Sequence, residues 1–219
     1  FGLSAFVMSL ALTIIPPIEL IPVCWWMEFF ASVFMIKNGW KDSDKKISII
    51  LWLGAIFGLP MGIFLTTILD FQTSKIIALV LILILALILL KNFKIQFLST
   101  TAGTGFSGVC AGVATGLASI GGMIVATYVL ASKNSARRMR ASLVLYILLN
   151  SITTFIFLFI FDLMDQKAFM RGVLLAFPSS IGVVLGSILF MQKLEKYYRP
   201  FSLGLLISFS LVGLIRFIG

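Results

Sequence analysis

Histidine is absent from this chain of 219 residues, and charged side chains make up only 11% of it. Without imidazole, neither His-based catalysis nor a His-ligated metal site is open to it. Cysteine occurs twice, as Cys24 and Cys110, each inside an apolar run. A thiol there behaves as a small buried hydrophobe. Neither a nucleophile with its base nor a metal cluster is visible, so the chain is not expected to be an enzyme, and no metal or cofactor is expected. A Walker A pattern is missing, so the chain is not expected to hydrolyse nucleotide by itself. Apolar and polar residues do not alternate with period two, which argues against an outer-membrane barrel.

What the chain has is apolar length. Hydrophobic residues make up 60% of it, and a water-soluble fold of this size could not hide so much apolar surface. Charges and turn residues cut the sequence into eight apolar elements: Phe1–Ile15, Pro17–Ile36, Ile47–Leu69, Ile76–Leu90, Gly103–Ser132, Ala141–Phe161, Gly172–Gln192 and Pro200–Phe217. The clearest of them, Ile47–Leu69, Ala141–Phe161 and Gly172–Gln192, reach the ~20 residues that a helix needs to cross ~30 Å of hydrocarbon. An all-α, polytopic integral membrane protein follows. The net charge of +9 does not point to nucleic acid, because the lysines and arginines lie in short loops, as the positive-inside rule expects.

The two halves resemble one another. A shift of 124 residues lays Gly58 and Gly62 on Gly182 and Gly186, Lys75 on Arg199, and Leu65 on Leu189. The third element of each half carries a small-xxx-small motif, and the fourth is short in both. Two repeats are read from this, residues 1–99 and 100–219. Phe1 already lies in an apolar stretch and is read as a truncated beginning, with part of the first repeat before it.

The distribution of cations decides the relative orientation of the repeats. If Gly103–Ser132 crossed the membrane, Lys and Arg would divide almost evenly between the two sides. If it dips in and returns, most gather on one side, with Lys41, Lys94, Arg138 and Lys196 together, as the rule requires. Three crossings plus a re-entrant broken hairpin per repeat give two inverted repeats, a recurrent plan in secondary transporters. Gly108, Gly112 and Gly116 would let backbones approach closely in the first arm. Leu117-Ala118-Ser119-Ile120-Gly121-Gly122 would supply the break at mid-depth.

At this segment the sequence resembles the sulfite exporter family, the TauE/SafE-type permeases. The resemblance is carried by GFSGVCAGVATGLASIGGMIVATYVLASKNSARRMRASL, here Gly105–Leu143, by Gly182–Gly186 followed by Lys193–Pro200, and by Trp40-Lys41-Asp42 leading to Gly58-Leu59-Pro60-Met61-Gly62. The first-half copy of the glycine break and the proline usual near Ala126–Thr127 are missing. The resemblance implies a secondary transporter, an exporter more often than not, of sulfite, a sulfonate or another sulfur-containing or organic anion. The alternative is an anion channel or a structural membrane subunit.

An anion at mid-membrane needs donors to replace its water. A half-helix start supplies free N–H groups and the positive end of the dipole. Gly121, Gly122 and Met123 would open that helix, Ser119 would add a hydroxyl, and Asn150 is a polar residue costly to bury. Ser151, Thr153 and Thr154 are read as bonding their own helix. Glu19 and Glu28 are the carboxylates inside apolar spans, so both are candidates for proton coupling. Glu19, just after Pro16-Pro17, also fits an ordinary acid at a helix start. Trp25 and Trp26 fit an interfacial belt or an aromatic wall of the substrate path. Lys133, Arg137, Arg138 and Arg140 would fix topology and concentrate anions at one mouth. The expected partners are a small anionic substrate and the lipid bilayer, with no nucleic acid, and a homodimer is left open. The expected location is the bacterial inner (plasma) membrane, multi-pass.

Overall fold

The computed structural model describes residues 3–12, 14–91, 96–131, 136–189 and 195–218. Among them the chain is helical throughout: α1 (Leu3–Ala11), α2 (Pro17–Gly39), α3 (Lys45–Ile68), α4 (Phe71–Leu90), α5 (Thr101–Ala118), α6 (Gly121–Ala131), α7 (Ala136–Ile160), α8 (Gln166–Leu189) and α9 (Glu195–Ile218). A 3-10 turn, Gln96–Ser99, precedes α5.

The polar punctuation that separates the apolar runs also starts the helices. Pro17 opens α2, where its missing N–H costs nothing. Carboxylates of Asp44, Asp70 and Asp165 accept from the amides of Ile47 (3.2 Å), Thr73 (2.9 Å) and Ala168 (2.7 Å). The Thr100 hydroxyl accepts from the Gly103 amide at 3.0 Å. Each of these satisfies a donor that a helix start leaves free. At Asp70 the Thr73 side chain and then its backbone N–H hold the carboxyl below its ordinary range.

Among the described residues, four helical stretches are long and apolar enough to cross a membrane: Pro17–Ile36, Lys45–Ile68, Phe71–Leu90 and Ala141–Ile160. The outward faces agree, since Phe57, Phe64, Phe159 and Phe177 are each more than half exposed. So large an apolar exterior suits lipid as solvent and not water. The expected ends of the seventh and eighth elements, Gln192 and Phe217, extend towards residues with little or no description; Gln192, Lys193, Lys133 and Lys94 lie outside the described residues.

The fifth apolar element is two helices. α5 ends at Ser119, which takes a left-handed conformation (φ 52°), and α6 begins at Gly121. The Thr104 hydroxyl near the start of α5 donates to the Tyr128 hydroxyl near the end of α6 at 3.1 Å. One continuous helix would hold those residues ~36 Å apart. The two arms therefore fold back on each other as a hairpin.

α5 lies against α3 along its length, glycine to glycine. A Cβ at Gly58 would collide with the Val109 carbonyl, at Gly62 with the Val113 carbonyl, and at Gly108 with the Leu51 carbonyl. The Thr66 hydroxyl donates across the same seam to the Gly116 carbonyl at 3.1 Å. α2 packs on α7 and α8, and α4 on α9. A core formed by Leu20, Cys24, Ile82, Leu117, Ile120 and Met123 gathers these helices around the tip of the hairpin.

Polar ties mark the two ends of the bundle. Arg138 meets Asp44 at 3.0 Å, and the Ser142 hydroxyl accepts from the Asp44 amide at 2.7 Å. The starts of α3 and α7 thus share one end. At the other, Arg171 of α8 pairs with Glu19 of α2 at 2.8 Å. Lys75 departs from the sequence reading, which placed it in a loop. It sits in α4, with a side chain only 2% exposed and its ammonium 3.7 Å from the centre of the Phe71 ring. Capping by Asp70 starts the helix several residues before the apolar run does.

Candidate substrate site at the helix break

The break places a helix start inside the bundle. Ser119 closes α5 by donating its amide to the Thr115 carbonyl at 2.8 Å, and the Ile120 amide reaches the Ala114 carbonyl at 3.2 Å. The Met123 amide donates to the Ile120 carbonyl at 2.9 Å. Met123 therefore has no amide to spare, and its side chain is buried in the core. The amides of Gly121 and Gly122 are left without an acceptor among the described residues. With Ser119, itself buried, they form a concave turn of backbone at the positive end of α6.

The two glycines have different surroundings. A side chain at Gly121 would strike the Thr115 hydroxyl and the Ala111 carbonyl, so this residue is where the arms touch. A Cβ at Gly122 would meet nothing within 4 Å. Gly122 thus borders open space.

Helix α7 forms a neighbouring wall. Val125 and Tyr128 of α6 share one packed cluster with Met139, Leu143 and Tyr146 of α7. One turn further towards the break come Gly121 on α6 and Asn150 on α7. The Asn150 side-chain oxygen is buried without a hydrogen-bond partner. The Ser151 and Thr154 hydroxyls donate to the carbonyls of Ile147 (2.7 Å) and Asn150 (2.8 Å) of their own helix, as the sequence suggests. Thr153 additionally accepts from the Trp52 indole at 2.8 Å, tying α7 to α3.

Helix α2 brings Glu28 into the interior, where its carboxylate accepts from the Ser4 hydroxyl of α1. Trp25, a turn earlier, is buried: its indole N–H donates to the Ser151 carbonyl at 2.7 Å, and its ring stacks on Phe29 and Phe155. It fastens α2 to α7 near Asn150. Trp26 turns the other way, against Phe169 and the bare backbone of Gly172 in α8, and its indole nitrogen is buried without a partner. Glu19 stands apart from this group in its half-exposed pair with Arg171.

The structure thus sets Ser119, Gly121 and Gly122 together at the break, Trp25 beside Asn150 where α2 meets α7, and Glu28 against Ser4, and it places Trp26 and Glu19 elsewhere along α2. Sequence reasoning missed Tyr146 and Ser4. Both are single polar residues in apolar runs, without a spacing that singles them out. No group of metal-ligating side chains occurs among the described residues.

Helices long and apolar enough to span a bilayer, packed around a broken hairpin with unused amides at the break, define a polytopic membrane protein. The family model described as sulfite exporter TauE/SafE matches residues 1–213, and the chain belongs to that family. No curated protein and no solved structure matches the chain.

Proposed function

We propose that this protein is a secondary transporter, in the export direction, of a small sulfur-containing or organic anion such as sulfite or a sulfonate. It works by alternating access in the bacterial inner membrane. The anion is held at the α6 start by the amides of Gly121 and Gly122, with Ser119 and Asn150 beside it. The observation that carries this reading is the pair of unused amides with open space at Gly122. Charge-assisted bonds to backbone N–H groups are stronger than neutral ones and put no cation in the way of release.

The proposed architecture is two inverted repeats, residues 1–99 and 100–219, each of three crossings and a re-entrant hairpin. Support comes from parallels between the halves. α3 and α8 are each 24 residues long, and an aspartate caps each in the same way. α1 leads into α2 as α6 leads into α7, and in each case the two helices pack together. Glu28 and Asn150 occupy comparable depths of α2 and α7. Protonation of Glu28 is the proposed coupling event, because a carboxylate and a bound anion repel strongly at low dielectric.

Sulfite affinity of the purified protein tests the site. Gly122→Val should fold normally, since the position is open, and should weaken sulfite at least about tenfold. Unchanged affinity would place the site elsewhere. Counterflow in liposomes tests the carrier mechanism: trans-stimulation is expected, and its absence would indicate a channel.

A further inference from the structure

Tyr146 is the most completely buried large polar side chain near the break, at 1% exposure. Its hydroxyl has no hydrogen-bond partner among the described residues. A buried hydroxyl left unpaired costs free energy that a phenylalanine at the same place would not. Among the described residues, the Ser142, Ser151, Thr153 and Thr154 hydroxyls of α7 bond within the fold, whereas the Asn150 oxygen one turn above does not.

The position of the ring narrows its role. It shares a packed cluster with Ala111 of α5 and Val125 of α6. Ala111 is the residue whose carbonyl backs directly onto Gly121. Val125 is one turn along α6 from the same glycine. The phenol thus lies beside the hairpin and the α6 start.

We propose that the Tyr146 hydroxyl is a substrate-binding group, donating a hydrogen bond to the anion held at Gly121 and Gly122. This rests on the reading of the α6 start as the anion site and adds to it a side-chain donor from α7. The two amides reach the ligand from the hairpin. Tyr146 reaches it from the facing helix, so an anion with several oxygens is held from more than one direction. No proton leaves the phenol; the group binds and orients.

Tyr146→Phe removes the oxygen and keeps the ring. The measurements are sulfite affinity by calorimetry and melting temperature with and without sulfite, on the whole purified protein, beside Gly122→Val. Without sulfite, Tyr146→Phe is expected to melt at or above the wild-type temperature, because the lost hydroxyl bonds nothing in the fold. Sulfite binding is expected to weaken about 10- to 100-fold, as for loss of one hydrogen bond to a charged group, and the stabilisation by sulfite to shrink with it. Wild-type affinity in Tyr146→Phe beside weakened binding in Gly122→Val overturns the role of Tyr146 alone. Wild-type affinity in both overturns the site as well. A lowered melting temperature without sulfite gives the hydroxyl a structural bond and also overturns the proposal.

Discussion

Glu28 and Glu19 show how nine helical positions separate two carboxylates that look alike in sequence. Glu19 lies in the first turn of α2, half exposed and paired with Arg171, where an acid near a helix start is ordinary. Glu28 is partly buried in the middle of the same helix, and its carboxylate accepts from the Ser4 hydroxyl of α1. If Glu28 takes up and releases the coupled proton, Glu28→Gln should flatten the pH dependence of transport while sulfite binding persists. Transport rates across a pH series in liposomes measure this, and an undiminished pH dependence would return Glu28 to a structural role. Glu19→Gln should leave the pH profile close to wild type.

The elements are held by small residues where neighbouring backbones meet. At Gly58 and Gly62 of α3 any side chain would run into carbonyls of α5, and backbone cannot move aside as a flexible side-chain tip can. Gly58→Ala should therefore destabilise the protein by about 1–3 kcal/mol, the usual penalty of overpacking, read as a lower melting temperature. Gly182→Ala on α8 is the control: a Cβ there meets nothing within 4 Å, so little change is expected. Equal melting temperatures for the two variants would contradict the seam. This seam was legible in the sequence because the GxxxG spacing of Gly108, Gly112 and Gly116 has a direct geometric meaning. The break was legible for a similar reason, in its pair of glycines. The pocket that Gly172 leaves for the Trp26 ring was not legible. Nothing local to either residue announces a contact between α2 and α8. Trp25 is the same kind of case, because its bond to the Ser151 carbonyl depends on how two distant helices pack.

For the whole molecule, the arrangement of polar ties bears on sidedness. The Arg138–Asp44 pair puts the starts of α3 and α7 at one end, while the Glu19–Arg171 pair marks the other. Cysteines introduced at Lys41 and Arg138, in a background lacking Cys24 and Cys110, should react with an impermeant reagent from the same side. One at Lys167 should react from the opposite side. Labelling of Arg138→Cys and Lys167→Cys from one side would end the inverted-repeat proposal. Lys75 weakens simple charge counting, since a cation assigned to a loop is in fact folded into α4. Hydropathy counts where apolar residues begin, whereas Asp70 and Thr73 begin the helix earlier.

The hairpin of α5 and α6 also bears on how the protein is made. Its first arm is rich in glycine, and its second is only 11 residues long, so neither arm is suited to anchor itself in lipid as a newly synthesised segment. What holds the hairpin is the groove on α3, which emerges from the ribosome earlier. Sequential insertion is the expected consequence: α3 placed first, and the hairpin added against it. Defects in the α3 groove should accordingly surface as loss of protein to membrane quality control during biogenesis, before any effect on transport can be measured.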